Sequence, residues 1–296
     1  MADVISVIVP TYNREDALDA ALRGLARQRD RDFEVIIADD GSGPATAALI
    51  QSWTSRVGTR LVHVHQEDEG FRAAQIRNRA ILASRGTYCI FLDGDCIPRP
   101  DFIAAHRGLA EPGWFVTGNR LLLSRDLTGT VLKERLEPET WGTSTFLRHR
   151  LAGRINRLAP LAPLPLGYLR KLHPQVWQGA RSCNLGIWRA DIDRVDGFDA
   201  SFSGWGLEDS DLLIRLMRAG VRRKDGRFAT GVLHLWHPPE DRSAMPQNQC
   251  RLDDVAQGKR VRALKGLTSV SPAEEAPKAT VEAGANLGVF PPAQGR

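Results

Sequence analysis

The strongest constraint on the fold is a unit repeated through the first 120 residues: a short β-rich run, turn-forming or acidic residues, then a helical pattern. Residues 4–10, VISVIVP, form a near-continuous apolar run, as expected of a central strand covered on both faces. Asn13 follows as the expected cap of a helix over 13–28. Runs at 33–38, 60–65 and 87–92 read as further strands, and 46–53 and 72–84 as helices, the last with Ala73, Ile76, Ala80 and Ala83 at helical spacing before Gly86. This alternation predicts an α/β fold: a mainly parallel central sheet, helices on both faces, and ligand sites at the carboxyl ends of the strands.

The pattern lapses over residues 121–178, which are rich in Arg and Pro and include LAPLAPLPLGY at 158–168; this reads as a helical, Pro-rich insertion or lid over the site. It returns with a strand at 184–189, a helix at 208–219 bearing the i,i+4 pairs Leu212/Leu216 and Leu213/Met217 before Gly220, and a strand at 230–236. The expected organisation is therefore a first half over 1–120, the insertion over 121–178 and a second half over 179–267. Beyond it, 268–296, rich in Ala, Pro, Glu and Gly, is expected to be a disordered tail.

Composition narrows the class. A chain of 296 residues, 42% hydrophobic and 25% charged, can bury a proper core and does not resemble a disordered one. Forty Lys and Arg against 35 Asp and Glu leave a net +5, too mild for a nucleic-acid footprint. The cysteines, Cys89, Cys96, Cys183 and Cys250, form no C-x-x-C pair, so no zinc ribbon or disulfide framework is indicated and a reducing compartment is expected. No basic leader and no apolar run of about 18 residues is present, so a cytoplasmic location is expected.

Three acidic pairs punctuate the ends of elements: Asp39-Asp40, Asp93-Gly94-Asp95 and Glu208-Asp209. One such pair alone is more often a turn or cap. The Asp-x-Asp after YCIFL is different, because carboxylates beside a buried strand repel each other and lose hydration, which makes a hard divalent cation their natural partner. His234 and His237 close the strand GVLHLWH, and imidazole added to an Asp suits Mn²⁺ or a similar ion. Either histidine alone is more often a packed core residue. Arg72 lies near the start of a helix, where an anion is favoured.

These residues resemble a family 2 glycosyltransferase of the GT-A fold: its opening strand in VISVIVPTYN, its nucleotide-binding strand in VIIADDGS and its Asp-x-Asp motif in FLDGDC. VDGFDASFSGWGLEDSDLLIRL is similar to the galactosyltransferase-type segment of beta-1,4-galactosyltransferases and bacterial chondroitin polymerases. The resemblance implies that Pro10 and Tyr12 lie beside the base of a UDP-sugar, that Asp40 or else Asp39 bonds uracil, and that Arg72 holds the nucleotide. It implies Asp93 near the ribose or donor sugar and Asp95 on Mn²⁺ or Mg²⁺. That family carries Met-x-x-His where this chain has His234-x-x-His237, which makes His237 and then His234 the implied metal ligands. Trp205 would wall the acceptor pocket, Glu208 would contact the acceptor or donor sugar, and Asp209 would be the base of a single, inverting displacement. A helix N-terminus favours the carboxylate, so Asp209 is expected to be ionised and weakly basic.

A Rossmann dehydrogenase is excluded because the first strand leads into Pro10-Thr11-Tyr12-Asn13 rather than G-x-G-x-x-G. A nucleotidyltransferase would share the sheet and the metal site without accounting for GWGLED, and a non-catalytic sugar- or nucleotide-binding module remains the alternative from another class. The implied acceptor is a glycan or lipid-linked glycan in cell-envelope polysaccharide or lipopolysaccharide synthesis. Arg148, Arg150, Arg154, Arg157, Arg170 and Lys171 fall in 145–173 without one Asp or Glu, so the insertion is expected either to be a solvated lid or to touch an anionic membrane surface.

Overall fold

A computed structural model describes residues 4–270 and 279–281. Four strands, β1 (Ile5–Thr11), β2 (Phe33–Asp39), β3 (Leu61–His65) and β4 (Tyr88–Phe91), lie parallel in the order β3-β2-β1-β4. Helices α1 (Glu15–Ala26), α2 (Pro44–Trp53) and α3 (Ala73–Ala83) connect them. The strands are apolar at nearly every position because both faces are covered. Ile8, Ile36, Val62 and Phe91 pack with Ile76 and Ala80 of α3, while Val7, Val35, Ile37 and Ile90 pack with Leu18 and Leu22 of α1 and Ile50 of α2. Burial of each such side chain contributes roughly 1.5–3 kcal/mol.

One local expectation is corrected. Helix α1 starts after Arg14, with no side-chain cap, while Asn13 stands at φ 45° and accepts a hydrogen bond from the Gly43 N–H at 2.9 Å. The Ser42 hydroxyl accepts from the Asn13 N–H, so this asparagine ties the β1–α1 loop to the start of α2 instead of capping its own helix.

After β4 come β5 (Cys96–Pro98), α4 (Phe102–Leu109), β6 (Trp114–Thr117) and β7 (Arg120–Leu122). Helices α5 (Arg125–Lys133) and α6 (Thr143–Leu151) follow, then β8 (Leu185–Trp188), α7 (Arg189–Arg194), α8 (Glu208–Arg218), β9 (Arg222–Asp225), β10 (Val232–His234) and α9 (Met245–Gln257). β8, β6 and β9 extend the central sheet beyond β4; β8 runs against the others, and β6 and β9 run with them. β10 pairs with β5 and β7 in a second, three-stranded sheet.

The 121–178 segment is more regular than its composition suggests. Leu127 and Val131 of α5, Phe146 of α6 and Ile155 form a core with Ala17 and Ala20 of α1 and with Leu233 and Leu235. Its six basic residues also divide: Arg170 is buried and Lys171 pairs with Glu111 at 2.7 Å, whereas Arg148, Arg150, Arg154 and Arg157 are exposed. All four cysteines are free thiols. No helix among the described residues is long and apolar enough to cross a membrane. Most of the expected tail, residues 271–278 and 282–296, lies outside the described residues, but Leu267 packs into the core and β11 (Ala279–Val281) pairs antiparallel with β3.

Candidate active site

The carboxyl ends of β1, β2, β4, β6 and β9 and the amino end of β8 meet at one sheet edge, which places all three acidic pairs within reach of one another. Asp39, the last residue of β2, is fully buried, with His63 Nε2 at 2.8 Å and the Ser42 N–H donating at 2.8 Å. Burial works to raise its pKa, and the bonds from His63 and Ser42 outweigh it and hold the carboxyl below its usual range. Asp39 therefore supports the turn. Asp40 is also buried and accepts from the Gln66 amide and from the Arg72 N–H at 2.8 Å, and its burial pushes its pKa up. Tyr12 is exposed and donates to Asp68 Oδ2 at 2.9 Å. The Arg72 guanidinium turns back onto Glu69 and the Glu67 carbonyl, so its backbone, not its charge, meets the Asp39-Asp40 turn.

The Asp-x-Asp turn packs directly on the end of β1. The Gly94 N–H donates to the Pro10 carbonyl at 3.1 Å, and a Cβ at position 94 would lie 2.6 Å from that oxygen, so only glycine fits. Arg77 and Arg120 are cations that the structure brings to this turn, and Arg77 pairs with it directly. Arg77 is buried, with Nη1 2.8 Å from Glu208 Oε1 and Nη2 3.4 Å from Asp93 Oδ1, and so joins the Asp-x-Asp to the acidic start of α8. The helical spacing of α3 marks Arg77 as a helix residue only; its ion pairs depend on Asp93, 16 positions on, and on Glu208, 131 positions on.

Asp95, His234 and His237 form a further cluster. One carboxylate oxygen and two imidazole nitrogens lie within 4.8 Å of one another. His237 Nδ1 stands 2.7 Å from the Pro238 carbonyl, which as an acceptor orients the ring, and Nε2 lies 3.3 Å from Asp95 Oδ2. Burial lowers the His234 pKa and favours the neutral ring that a cation needs. Two imidazoles and a carboxylate fit a borderline divalent cation such as Mn²⁺. Asp93 next to them is raised by desolvation and by Asp95, against the pull of Arg77.

The turn before α8 is built on strained backbone. Gly204, Gly206 and Leu207 all have positive φ, 70°, 105° and 76°, and for a bulky residue such as Leu207 this conformation is costly. Asn248, fully buried on α9, holds the turn by donating to the Ser203 and Gly206 carbonyls at 3.1 and 3.0 Å. No local sequence signal marked Asn248. The turn delivers Glu208 and Asp209 to the first turn of α8, where the Ser182 N–H donates to Asp209 Oδ2 at 3.3 Å. Trp205 lies beside them, half-buried, with the Arg242 guanidinium 5.1 Å from its ring centre. The expected weakly basic Asp209 is corrected: desolvation and Glu208 push its pKa up to about 6, against the helix N-terminus and Arg77.

The family described as "Glycosyl transferase family 2" matches residues 6–158, and that described as "N-terminal domain of galactosyltransferase" matches 169–237. Validoxylamine A glucosyltransferase of Streptomyces hygroscopicus subsp. limoneus is 32% identical over 244 residues, 77% of this chain and 51% of that protein. Chondroitin synthase of Escherichia coli is 25% identical over 249 residues, 77% of this chain and 34% of that protein. The chain thus spans about half or less of the length of these relatives. Among solved structures, S. aureus TarS 1-349 aligns with a TM-score of 0.59 at 15% identity over 92% of this chain and 68% of that one; the same protein was also solved with UDP. The family 2 match covers just over half of the chain and takes in both the β1–β4 edge and the Asp-x-Asp turn, so the chain belongs to the family 2 glycosyltransferases, with a GT-A fold.

Proposed function

We propose that the chain is a metal-dependent hexosyltransferase, moving a sugar from a UDP-sugar to a hydroxyl of a glycan or lipid-linked glycan in cell-envelope polysaccharide or lipopolysaccharide synthesis, with inversion. The observation that carries this reading is the bridge by Arg77, which links the Asp-x-Asp turn to the Glu208-Asp209 pair and so sets donor and acceptor chemistry side by side. The UDP complex of the structural neighbour supports the choice of nucleotide.

On this reading Pro10, Tyr12 and Asp40 border the base, with Arg72 supporting Asp40 through its backbone N–H. Asp93 faces the ribose or donor sugar, and Trp205 and Glu208 orient the acceptor. Asp209 accepts the proton of the acceptor hydroxyl while its oxygen bonds the anomeric carbon and the bond from that carbon to the diphosphate oxygen breaks, releasing UDP. A positioned base contributes typically about 10²- to 10⁴-fold. Mn²⁺ or Mg²⁺ bound by Asp95, His237 and His234 would supply charge neutralisation for the departing diphosphate. The test is release of UDP from UDP-Gal, UDP-GalNAc, UDP-Glc, UDP-GlcNAc and UDP-GlcA with Mn²⁺. Hydrolysis of at least one is expected. UDP affinity that is equal with Mn²⁺ and with EDTA overturns the reading.

A cytoplasmic site of action at the inner membrane face is part of the proposal. It is supported by Leu147 and Leu151, exposed among Arg148, Arg150 and Arg154, which pair with no carboxylate among the described residues. Basic residues at an anionic surface contribute about 1 kcal/mol each. Pelleting with anionic liposomes at low salt should weaken when these three arginines become Gln; equal pelleting of both forms refutes membrane contact.

A further inference from the structure

A cavity of about 390 Å³, a volume suited to a small-molecule unit, opens at the sheet edge on the side away from β1 and β2. Residues 117–119 after β6, 169–179, and 223–227 at the end of β9 wall it. β9 lies three strands from β4 in the sheet order, roughly 14 Å at the spacing of neighbouring strands. Gly179 in its wall precedes by three residues Ser182, whose N–H holds Asp209. The cavity therefore lies beyond the reacting centre, on the acceptor side.

Its charge is unbalanced. Arg157, Arg170, Arg223 and Arg227 line it against one carboxylate, Asp225. That carboxylate is engaged by Arg227, whose Nε and backbone N–H donate to it at 2.6 and 2.8 Å. The other three guanidiniums are held by carbonyl oxygens: Arg170 by those of Asp225, Arg227 and Leu164, Arg223 by those of Val176 and Gln178, and Arg157 by that of Arg120. A carbonyl fixes a guanidinium without neutralising it. Three positive charges thus face one cavity with no ion pair among the described residues. Burial lowers the pKa of Arg170 and of Arg223, and the nearby Asp225 charge offsets this only in part. Asn119 also lies in the wall.

We propose that this cavity is a subsite for an oxyanion on the acceptor, a phosphate ester or a carboxylate carried by a sugar or polyol unit remote from the attacking hydroxyl. The subsite rests on the glycosyl-transfer reading above and gives the acceptor a chemical class. Arg157 and Arg223 take the oxyanion through their remaining N–H groups, and Arg170 supplies a fixed field.

The experiment titrates the full chain by calorimetry with glucose 6-phosphate, glucuronate and neutral glucose, in EDTA so that no cation at Asp95 recruits the anion. At least one anionic sugar should bind, and glucose should not. Preference for glucose 6-phosphate assigns a phosphate, preference for glucuronate a carboxylate, and both results support the subsite. The double variant Arg157→Gln, Arg223→Gln should weaken binding about tenfold or more, with Mn²⁺-dependent UDP binding unchanged. Arg157→Gln alone, at an exposed position, gives the same direction should the double variant fail to fold. Absence of binding by both anions, equal binding of glucose, or unchanged affinity in the variants overturns the proposal. Metal-independent UDP binding by the wild type overturns the metal-dependent transfer reading instead, so the two failures are distinct.

Discussion

The two sides of this site are built by different means. On the side proposed for the donor, Asp39 ends a strand hydrogen-bonded on both flanks and Asp40 follows it, and their partners His63, Ser42, Gln66 and Arg72 come from β3 and the turns beside β2 and β3. On the side proposed for the acceptor, Glu208 and Asp209 leave a turn that includes a left-handed leucine; Arg77 of α3 holds Glu208, the Ser182 backbone holds Asp209, and Asn248 of α9 holds the turn itself. The contrast teaches that a residue at a strand end is placed by its own neighbourhood, whereas a strained turn needs distant partners. The acceptor side is then the one that a remote substitution disturbs.

The largest expected effect separates the two sides directly. Asp209→Asn should lower turnover by about 10²- to 10⁴-fold and leave Mn²⁺-dependent UDP affinity intact, whereas Asp95→Asn should abolish that affinity. Retention of more than roughly a tenth of the rate in Asp209→Asn removes it as the base. Arg77→Met breaks the link between the sides: Glu208 is left buried and unpaired, and a loss of about 3–5 kcal/mol is expected in denaturant unfolding. A loss under about 1 kcal/mol would mean that each side stands without the bridge. Asn248→Ala frees the buried Ser203 and Gly206 carbonyls, with an expected loss of about 1–3 kcal/mol and a lower kcat at unchanged UDP affinity. Equal effects on kcat and on UDP binding would erase the distinction between the sides.

The smallest effect is a pH limb. Asp209 acts as a base only when deprotonated, and its pKa is raised to about 6, so activity should fall as pH drops through that value. One pH unit below the pKa the rate should be about tenfold lower. A kcat profile flat from pH 7 to 5, roughly a tenfold range about that pKa, would show that burial and Glu208 do not raise this carboxyl in the working enzyme.

Much of this was legible beforehand for a physical reason. Apolar runs and helical spacing are local properties, so β1 to β4, α3 and α8 stand close to where their patterns put them, and the strand-end acids follow. Even the pairing of Asp95 with His234 and His237 was open to reading, because each lies at the end of a recognisable strand pattern. Asn13 shows the limit: its side chain suits a cap, but the Gly43 N–H at the start of another helix offers it a partner that no local pattern reveals. The same holds for 121–178, where the sequence pointed to a helical, Pro-rich insertion or lid and only the structure shows Phe146 and Ile155 in a core shared with α1.

By itself, then, the sequence determined the strand–helix alternation of its opening unit, the carboxylates at its edge and the family to which they point, since these depend on residues adjacent along the chain. Only the tertiary structure decided that Arg77 rather than the Arg72 side chain serves the Asp-x-Asp turn, that Asn248 supports the strained turn before Asp209, and that carbonyl-held arginines gather around a cavity after β9. Those outcomes depend on which distant segments share a volume, and in that volume burial and neighbouring charge outweigh the helix N-terminus in setting the basicity of Asp209.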